Sequence, residues 1–438
     1  MTRPCTAFVL GFLALAFGSA NAVGQEPVLA WLKQREESLG SLYRHLHANP
    51  ELSFRELKTA ARMAEELQAI GVEVTTGVGG NGVVGVLRCG GGEGPVALLR
   101  ADMDALPIAE ETGLPYASKI RADSADGRAV GIMHACGHDV HMACLIGVAG
   151  YFAANPKAFA GTLVFMLQPA EERSGGMDRM LADGLLTRFP RADYAVALHC
   201  SHDLAVGKVG VRAGPAMANV DSCDITLFGK GGHGAAPHLA VDPIVQASKL
   251  VLDLQTIVSR ELDPIRAGVI TVGSIHAGQK HNIIPSSCHL QLTIRSYTDD
   301  VRKLMLAAIR RKAKAQAMSC GAKEPLVEFS EGTPALVNEA VLTASVQAGL
   351  VEALGAEHVV AIEPAMVAED FGRLREAGVP LCMFRLGTVA PDRLARLRQA
   401  GGPPGLHSST YYPDYLPAIR VGVQSLCAAV RRAAADRR

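Results

Sequence analysis

The spacing of apolar and polar positions divides the chain into helical and strand-like stretches. Over residues 27–48, and again over 54–70, apolar side chains recur every three or four positions, the mark of helices with one buried face; Gly71 supplies the stop for the second. Short apolar runs follow at 83–87, 96–99, 163–167 and 194–198, each bounded by glycine, proline or charge. Runs apolar on both faces suit strands buried inside a sheet. With helices between them, such as 142–152, they predict an α/β domain that presents functional groups at its strand ends.

Between about 218 and 327 the rhythm changes. Strand 221–229, helix 243–262, strands 268–276 and 288–297, helix 300–319 and strand 325–329 give the β-α-β-β-α-β order of a split βαβ, ferredoxin-like unit. Helix 339–354, strand 381–384 and helix 419–434 then restore the first pattern, while 392–404 reads as a long loop. The predicted fold class is therefore α/β: a discontinuous catalytic domain (23–217 and 328–438) with an inserted α+β domain (218–327), preceded by a leader over 1–22.

Composition narrows the partners. Lysine plus arginine equals aspartate plus glutamate at 43 each, and no block of like charge forms a tail, which argues against nucleic acid and for a small-molecule substrate. Arg3, the apolar run 7–17 and the small-residue site Ala20-Asn21-Ala22 predict a cleavable signal peptide, hence a secreted or periplasmic protein. The run falls short of the roughly 20 residues that a stable membrane span needs. Of ten cysteines, Cys144, Cys223, Cys288 and Cys382 lie in apolar surroundings and read as small buried hydrophobes.

Cys136 stands apart. The run Met133-His134-Ala135-Cys136-Gly137-His138-Asp139-Val140-His141 gathers three histidines, a cysteine and an aspartate ahead of an apolar helix. The glycine allows a tight backbone path, so that a thiolate and an imidazole can reach one centre; a metal site and a Cys-His nucleophile both fit. Gln168-Pro169-Ala170-Glu171-Glu172 ends a strand with adjacent carboxylates, either a solvated pair or a metal ligand beside a proton acceptor. His199 and His407 sit at a strand end and in a Gly-Leu-His-Ser turn. Asp104, in Arg100-Ala101-Asp102-Met103-Asp104-Ala105-Leu106-Pro107, reads as a partner orienting a ligand histidine or as a turn residue.

These motifs, with Gly229–His238 in the inserted unit (Gly-Lys-Gly-Gly-His-Gly-Ala-Ala-Pro-His), Thr271-Val272-Gly273-Ser274, Ala368-Glu369-Asp370-Phe371 and Leu406-His407-Ser408, occur in the order found in the M20 metallopeptidases. The resemblance is to the amidohydrolase branch: hippurate hydrolases, N-acyl-amino-acid amidohydrolases and auxin-conjugate hydrolases. It implies two divalent cations per subunit, zinc or manganese first and cobalt or nickel next, held by Cys136, His138, Glu172, His199 and His407 with Cys136 shared, and Glu171 as general base. It also implies a homodimer joined through the inserted lid, in which His233 of one protomer serves the other's active site. The reaction implied is hydrolysis of an N-acyl amino acid to a carboxylic acid and an amino acid, with His233 and Asn282 stabilising the oxyanion.

Arg295, on the strand 288–297, reads as a fork for the substrate carboxylate, with Asn282 on the preceding connection, or as a surface arginine on a sheet. The chain departs from the family pattern after His407, where Ser409-Thr410-Tyr411-Tyr412 replaces the usual proline and acid, and at His202 and His281. A dipeptidase or carboxypeptidase using the same metals is the alternative activity. A metal-free cysteine hydrolase and a non-catalytic binding protein are rivals of other classes.

Overall fold

The computed structural model describes residues 26–123 and 129–437, so the leader expected over 1–22 lies outside the described residues. Helix α1 (Glu26–Ala48) buries Leu32, Leu39, Leu42, Tyr43 and Leu46, and α2 (Leu57–Ala69) buries Ala60, Met63, Ala64 and Leu67, the faces their periodicity predicts. Strands β1 (Glu73–Val78), β2 (Gly82–Cys89) and β3 (Val96–Asp102) follow, then α3 (His138–Ala154), β4 (Gly161–Gln168), β5 (Tyr194–Ala205) and β6 (Val209–Val211). Helix α3 is buried from His138 to Phe152: from Met142 on it is apolar all round, and it lies between α1, the C-terminal helix Tyr415–Ala435 and the sheet.

The inserted unit comprises β7 (Asn219–Phe228), α4 (Pro243–Thr256), β8 (Gly268–His276), β9 (Ser287–Ser296), α5 (Asp299–Ser319) and β10 (Leu326–Thr333). The chain then adds α6 (Ala340–Leu354), β11 (Val359–Ala361), β12 (Leu381–Val389), α7 (Pro391–Gln399) and α8 (Tyr415–Ala435). An eight-stranded mixed sheet runs β1-β2-β4-β3-β5-β12-β6-β11, with β4, β3, β5 and β12 mutually parallel. Its central strands are buried on both faces, β4 over its whole length.

The second sheet, β8-β9-β7-β10, is wholly antiparallel and has the strand order of a split βαβ unit. It has its own core: Cys223, Ile225 and Leu227 of β7 with Leu290, Leu292 and Ile294 of β9, covered by Leu250 and Leu254 of α4 and Met305, Ile309 and Ala313 of α5. All four strands fall between β6 and β11, so this unit is inserted into the larger one as the sequence predicts.

Two local readings change. The stretch 392–404 is a loop only from 400 on: α7 begins with Pro391 in its first turn, runs to Gln399 and anchors one buried side chain, Leu394, too small an apolar face to stand out in sequence. The helix expected over 243–262 keeps α geometry only to Thr256 and ends in a π turn, Ile257–Glu261.

Candidate metal centre

The parallel strands β3 and β4 end in Asp102 and Gln168, where an α/β sheet opens to a ligand, and His199 lies midway along the longer β5, not at its end. Between β3 and α3 the chain must place Cys136 and His138 on one centre. Gly137 makes this turn with φ of +84°, and a Cβ there would lie 2.8 Å from Cys200 Sγ, so no other residue fits.

The five expected ligands converge. Cys136, His138 and His199 form one group, and Cys136, Glu172 and His407 another, each with ligand atoms within 4.8 Å of one another. Cys136 belongs to both. Sγ of Cys136 lies 3.6 Å from His199 Nε2, and His407 Nε2 lies 3.3 Å from Glu172 Oε1. Two ligands of a single tetrahedral ion at ordinary metal–ligand distances are about 3.4–3.6 Å apart. The buried atoms His138 Nε2 and Glu172 Oε1 face each other at 3.8 Å, and neither has a hydrogen-bond partner. A buried nitrogen and a buried carboxylate oxygen that lack hydrogen bonds in one pocket are what a cation would engage, so the donor set fits metal.

The tautomers agree with this use. His138 Nδ1 donates to the Asp104 carbonyl oxygen (2.8 Å) and His199 Nδ1 to the Cys200 carbonyl oxygen (2.9 Å), leaving each Nε2 toward the centre. His141 is excluded as a ligand because both its nitrogens are spent. Its Nδ1 donates to Asp102 at 2.6 Å and its Nε2 accepts from Cys200 N at 2.9 Å.

Charge points the same way. Burial, with Glu172 and Glu171 nearby, pushes the Cys136 thiol well above the ordinary cysteine range. Burial and neighbouring His141 and Arg385 hold His199 neutral. Burial opposes protonation of His138, but Asp102 and Asp104 outweigh it and raise its pKa to about 10. Burial and then Glu369 and Glu172 push Glu171 well above the carboxylate range. The pocket thus carries more acid than its own bases neutralise.

Asp104 holds the acidic loop. Its carboxylate accepts from the backbone N–H of Glu171 (3.1 Å), that of Glu172 (3.0 Å) and the Ser53 hydroxyl (2.6 Å). Just upstream, Ala170 takes a left-handed φ of +49°, and its N–H donates to buried Glu56 at 2.8 Å. His407 is also left-handed, at +65°, and its N–H donates to the Ala135 carbonyl oxygen at 2.9 Å, tying its loop to the Cys136 turn. In the divergent segment after it, Tyr411 is buried with its hydroxyl 3.0 Å from Thr388 Oγ1, which secures that loop to β12. Strained backbone of this kind persists where surrounding contacts hold it.

A set of residues quoted in the motifs but given no role also reaches the site. Buried Arg100 donates to Gln168 (2.9 Å), Asp102 (2.7 Å) and Glu369 (2.7 and 3.2 Å), and Gln168 donates to Asp370 (2.6 Å). Glu369 and Asp370 lie with Glu171 in a buried trio. Burial and Glu369 raise Asp370 to about 8. The signal was charge inside otherwise apolar surroundings.

The inserted unit places its residues apart from this cluster. His233 is exposed on the short strand Gly232–His233, which pairs with Ile283–Ile284; its Nδ1 accepts from Ala235 N at 3.0 Å and its Nε2 is free. Asn282, exposed, accepts from Gly234 N through its backbone carbonyl oxygen, so the two residues flank one short two-stranded ladder. Half-buried Arg295 donates one N–H to the Met366 carbonyl oxygen at 2.7 Å, on the segment leading to Glu369. All nine described cysteines are free, Cys144, Cys223, Cys288 and Cys382 among the buried ones.

The model for peptidase family M20/M25/M40 matches residues 98–426. The chain is 38% identical over 343 residues to an N-acetyl-L-cysteine deacetylase of Bacillus subtilis, covering 78% of each protein. It is 36% identical over 360 residues to thermostable carboxypeptidase 2 of Saccharolobus solfataricus, covering 82% of this chain and 87% of the relative. Among solved structures it resembles Bacillus subtilis YXEP, a dinuclear metal-binding peptidase, with a TM-score of 0.74, 28% identity, and coverage of 91% of this chain and 98% of that one.

Proposed function

Because the chain belongs to peptidase family M20/M25/M40, hydrolases of amide bonds, we propose that it removes the acyl group from N-acyl or N-aroyl L-amino acids, releasing a carboxylic acid and an amino acid. The observation that carries this reading is the meeting of Cys136, His138, Glu172, His199 and His407 beside Glu171. Two divalent cations would be held there, Cys136 contributing to both; the mixed sulfur, nitrogen and oxygen donors suit zinc or manganese, with cobalt and nickel next. Bound, they would supply Lewis acidity to the attacking water and to the scissile carbonyl.

The remaining work falls to the chain. Glu171, whose raised proton affinity suits a base among cations, accepts the water proton and returns it to the leaving amine. Asp104 fixes the loop that carries it. His233, with a free Nε2 on an exposed two-stranded ladder, acts from a partner protomer joined through the inserted lid, and with Asn282 it donates to the developing oxyanion. Arg295 and Asn282 receive the α-carboxylate, four of the guanidinium's five N–H donors being left after the bond to Met366. A periplasmic or extracellular location is part of this reading, supported by the leader-like sequence over 1–22.

Carboxypeptidase or dipeptidase action at the same centre is the second reading, favoured by similarity to the Saccharolobus solfataricus carboxypeptidase. The deciding experiment is a panel of N-acetyl and N-benzoyl amino acids against unblocked dipeptides, on protein reconstituted with each metal in turn. Acylated amino acids are expected to lead by at least about tenfold in kcat/KM. Faster cleavage of dipeptides would select the second reading, and full activity in metal-free protein would sink both in favour of a Cys136–His138 nucleophile.

A further inference from the structure

Strand β12 carries one charge, Arg385, the single residue of the strand that is not fully buried. The strand pairs in parallel with β5, and Arg385 stands in register with His199. Residues in register on neighbouring strands project from the same face, so this guanidinium shares the face that carries His199 toward Cys136.

Its surroundings leave it without an anion. Nη1 lies 3.5 Å from His199 Nδ1, but that nitrogen already carries its proton toward the Cys200 carbonyl oxygen, so two donors face each other. The carboxylates closest in influence are committed elsewhere, Glu369 to Arg100 and to Phe371 N, and Asp203 to the Ser201 hydroxyl at 2.5 Å. No carboxylate among the described residues makes an ion pair with Arg385, and burial drags its pKa down. Buried arginine elsewhere in this chain is paired, as Arg100 is with Asp102 and Glu369. An arginine held partly out of water with uncommitted donors, beside a substrate centre, is placed to meet an anion that arrives with the ligand.

We propose that Arg385 is a specificity-determining residue that receives a second carboxylate of the substrate, one beyond the α-carboxylate, so that the preferred substrates are dicarboxylic N-acyl amino acids. This rests on the amidohydrolase reading above. Arg295 rises from the inserted unit, whereas Arg385 rises from the large sheet beside His199, so the two would grip different ends of one dianion. The extra carboxylate can belong to the amino-acid side chain or to the acyl group.

Two matched pairs separate these sources: N-acetyl-L-glutamate against N-acetyl-L-glutamine, and N-succinyl-L-leucine against N-butanoyl-L-leucine, assayed with metal-reconstituted wild type and Arg385→Gln. In one pair the wild type is expected to favour the dianion by about tenfold or more in kcat/KM, mainly through KM, and Arg385→Gln to cut that ratio to about twofold or less. The pair that responds identifies the source. Absence of preference in both pairs, a preference that survives Arg385→Gln, or equal losses on both members of each pair would overturn the proposal; the last would leave Arg385 a positioning residue for His199. The wild-type ratios alone can overturn it, so a variant that fails to fold does not shield it. Calorimetric binding of the same four compounds to Glu171→Gln protein, with and without Arg385→Gln, reads the preference without turnover. Preserved dianion binding with no hydrolysis of any compound by wild type would fail the amidohydrolase reading alone.

Discussion

His138 Nδ1 donates to the backbone carbonyl of Asp104 at 2.8 Å, while the carboxylate of the same residue gathers the N–H groups of Glu171 and Glu172. One residue thus sets the rotation of a ligand imidazole through its backbone and the path of the acidic loop through its side chain. Asp104→Ala keeps the first bond and removes the others, leaving two loop N–H groups without their acceptor. Metal affinity, measured by competition with a chromophoric chelator, should fall by about 10- to 100-fold with the circular dichroism spectrum unchanged. An affinity equal to wild type would show that the loop holds itself.

Metal uptake should release protons. Without metal, burial and the nearby glutamates keep the Cys136 thiol protonated, and Asp102 and Asp104 keep His138 protonated up to about pH 10. A ligand must shed its proton to bind, so at pH 7.5 roughly two protons should leave per active site loaded, and affinity should weaken as pH falls. Titration calorimetry in two buffers of different ionisation enthalpy counts them. A count of zero would mean that these groups are not ligands.

The parts of the site legible in sequence were those with unusual local density. Cys136 and His138 stand two apart around a glycine, and Glu171 and Glu172 follow a buried strand, so each announces itself within a few residues. Arg100 with Glu369, 269 positions apart, does not: nothing in either local sequence points to the other until β3 and the segment before β12 meet. The element order was legible because buried strands and two-faced helices repeat strongly. Helix α7 was not, since only Leu394 anchors it, and Arg385 was hidden in a strand that reads as apolar.

Glu171→Gln should separate binding from chemistry. Gln keeps the size and the loop bonds to Asp104, which run through the backbone, but it cannot carry a proton. Turnover should drop by about 10²- to 10⁴-fold with metal content and substrate affinity little changed. Residual activity within about fivefold of wild type would remove Glu171 from the role of base.

Arg295→Ala should weaken N-acyl amino acids far more than their α-carboxamides, because the amide offers no charge for the fork to meet. A loss in kcat/KM of about tenfold or more on the acids, against about twofold on the amides, is expected in steady-state assays. Equal losses would assign Arg295 to holding Met366 and the segment before Glu369, the contact it already makes.

The network behind Cys136 predicts how stability depends on pH. His47 is buried; Nδ1 donates to Asp139 at 2.7 Å and Nε2 to Glu110 at 3.1 Å, so the ring is an imidazolium between two carboxylates. Burial alone would lower its pKa, but those two partners raise it from 6.5 to about 9. The folded protein therefore keeps a proton that the unfolded chain gives up near pH 6.5. The stabilisation is complete below that pH, declines between 6.5 and 9 and is lost above 9, amounting to about 3 kcal/mol across the window. His47→Gln cannot carry the charge, so the stability gap between wild type and variant in urea unfolding, with metal saturating, should narrow by about that amount from pH 6 to pH 9.5. A gap that stays constant over this range would mean that His47 is neutral in the folded protein, and that Asp139, next to the ligand His138, is held by other means.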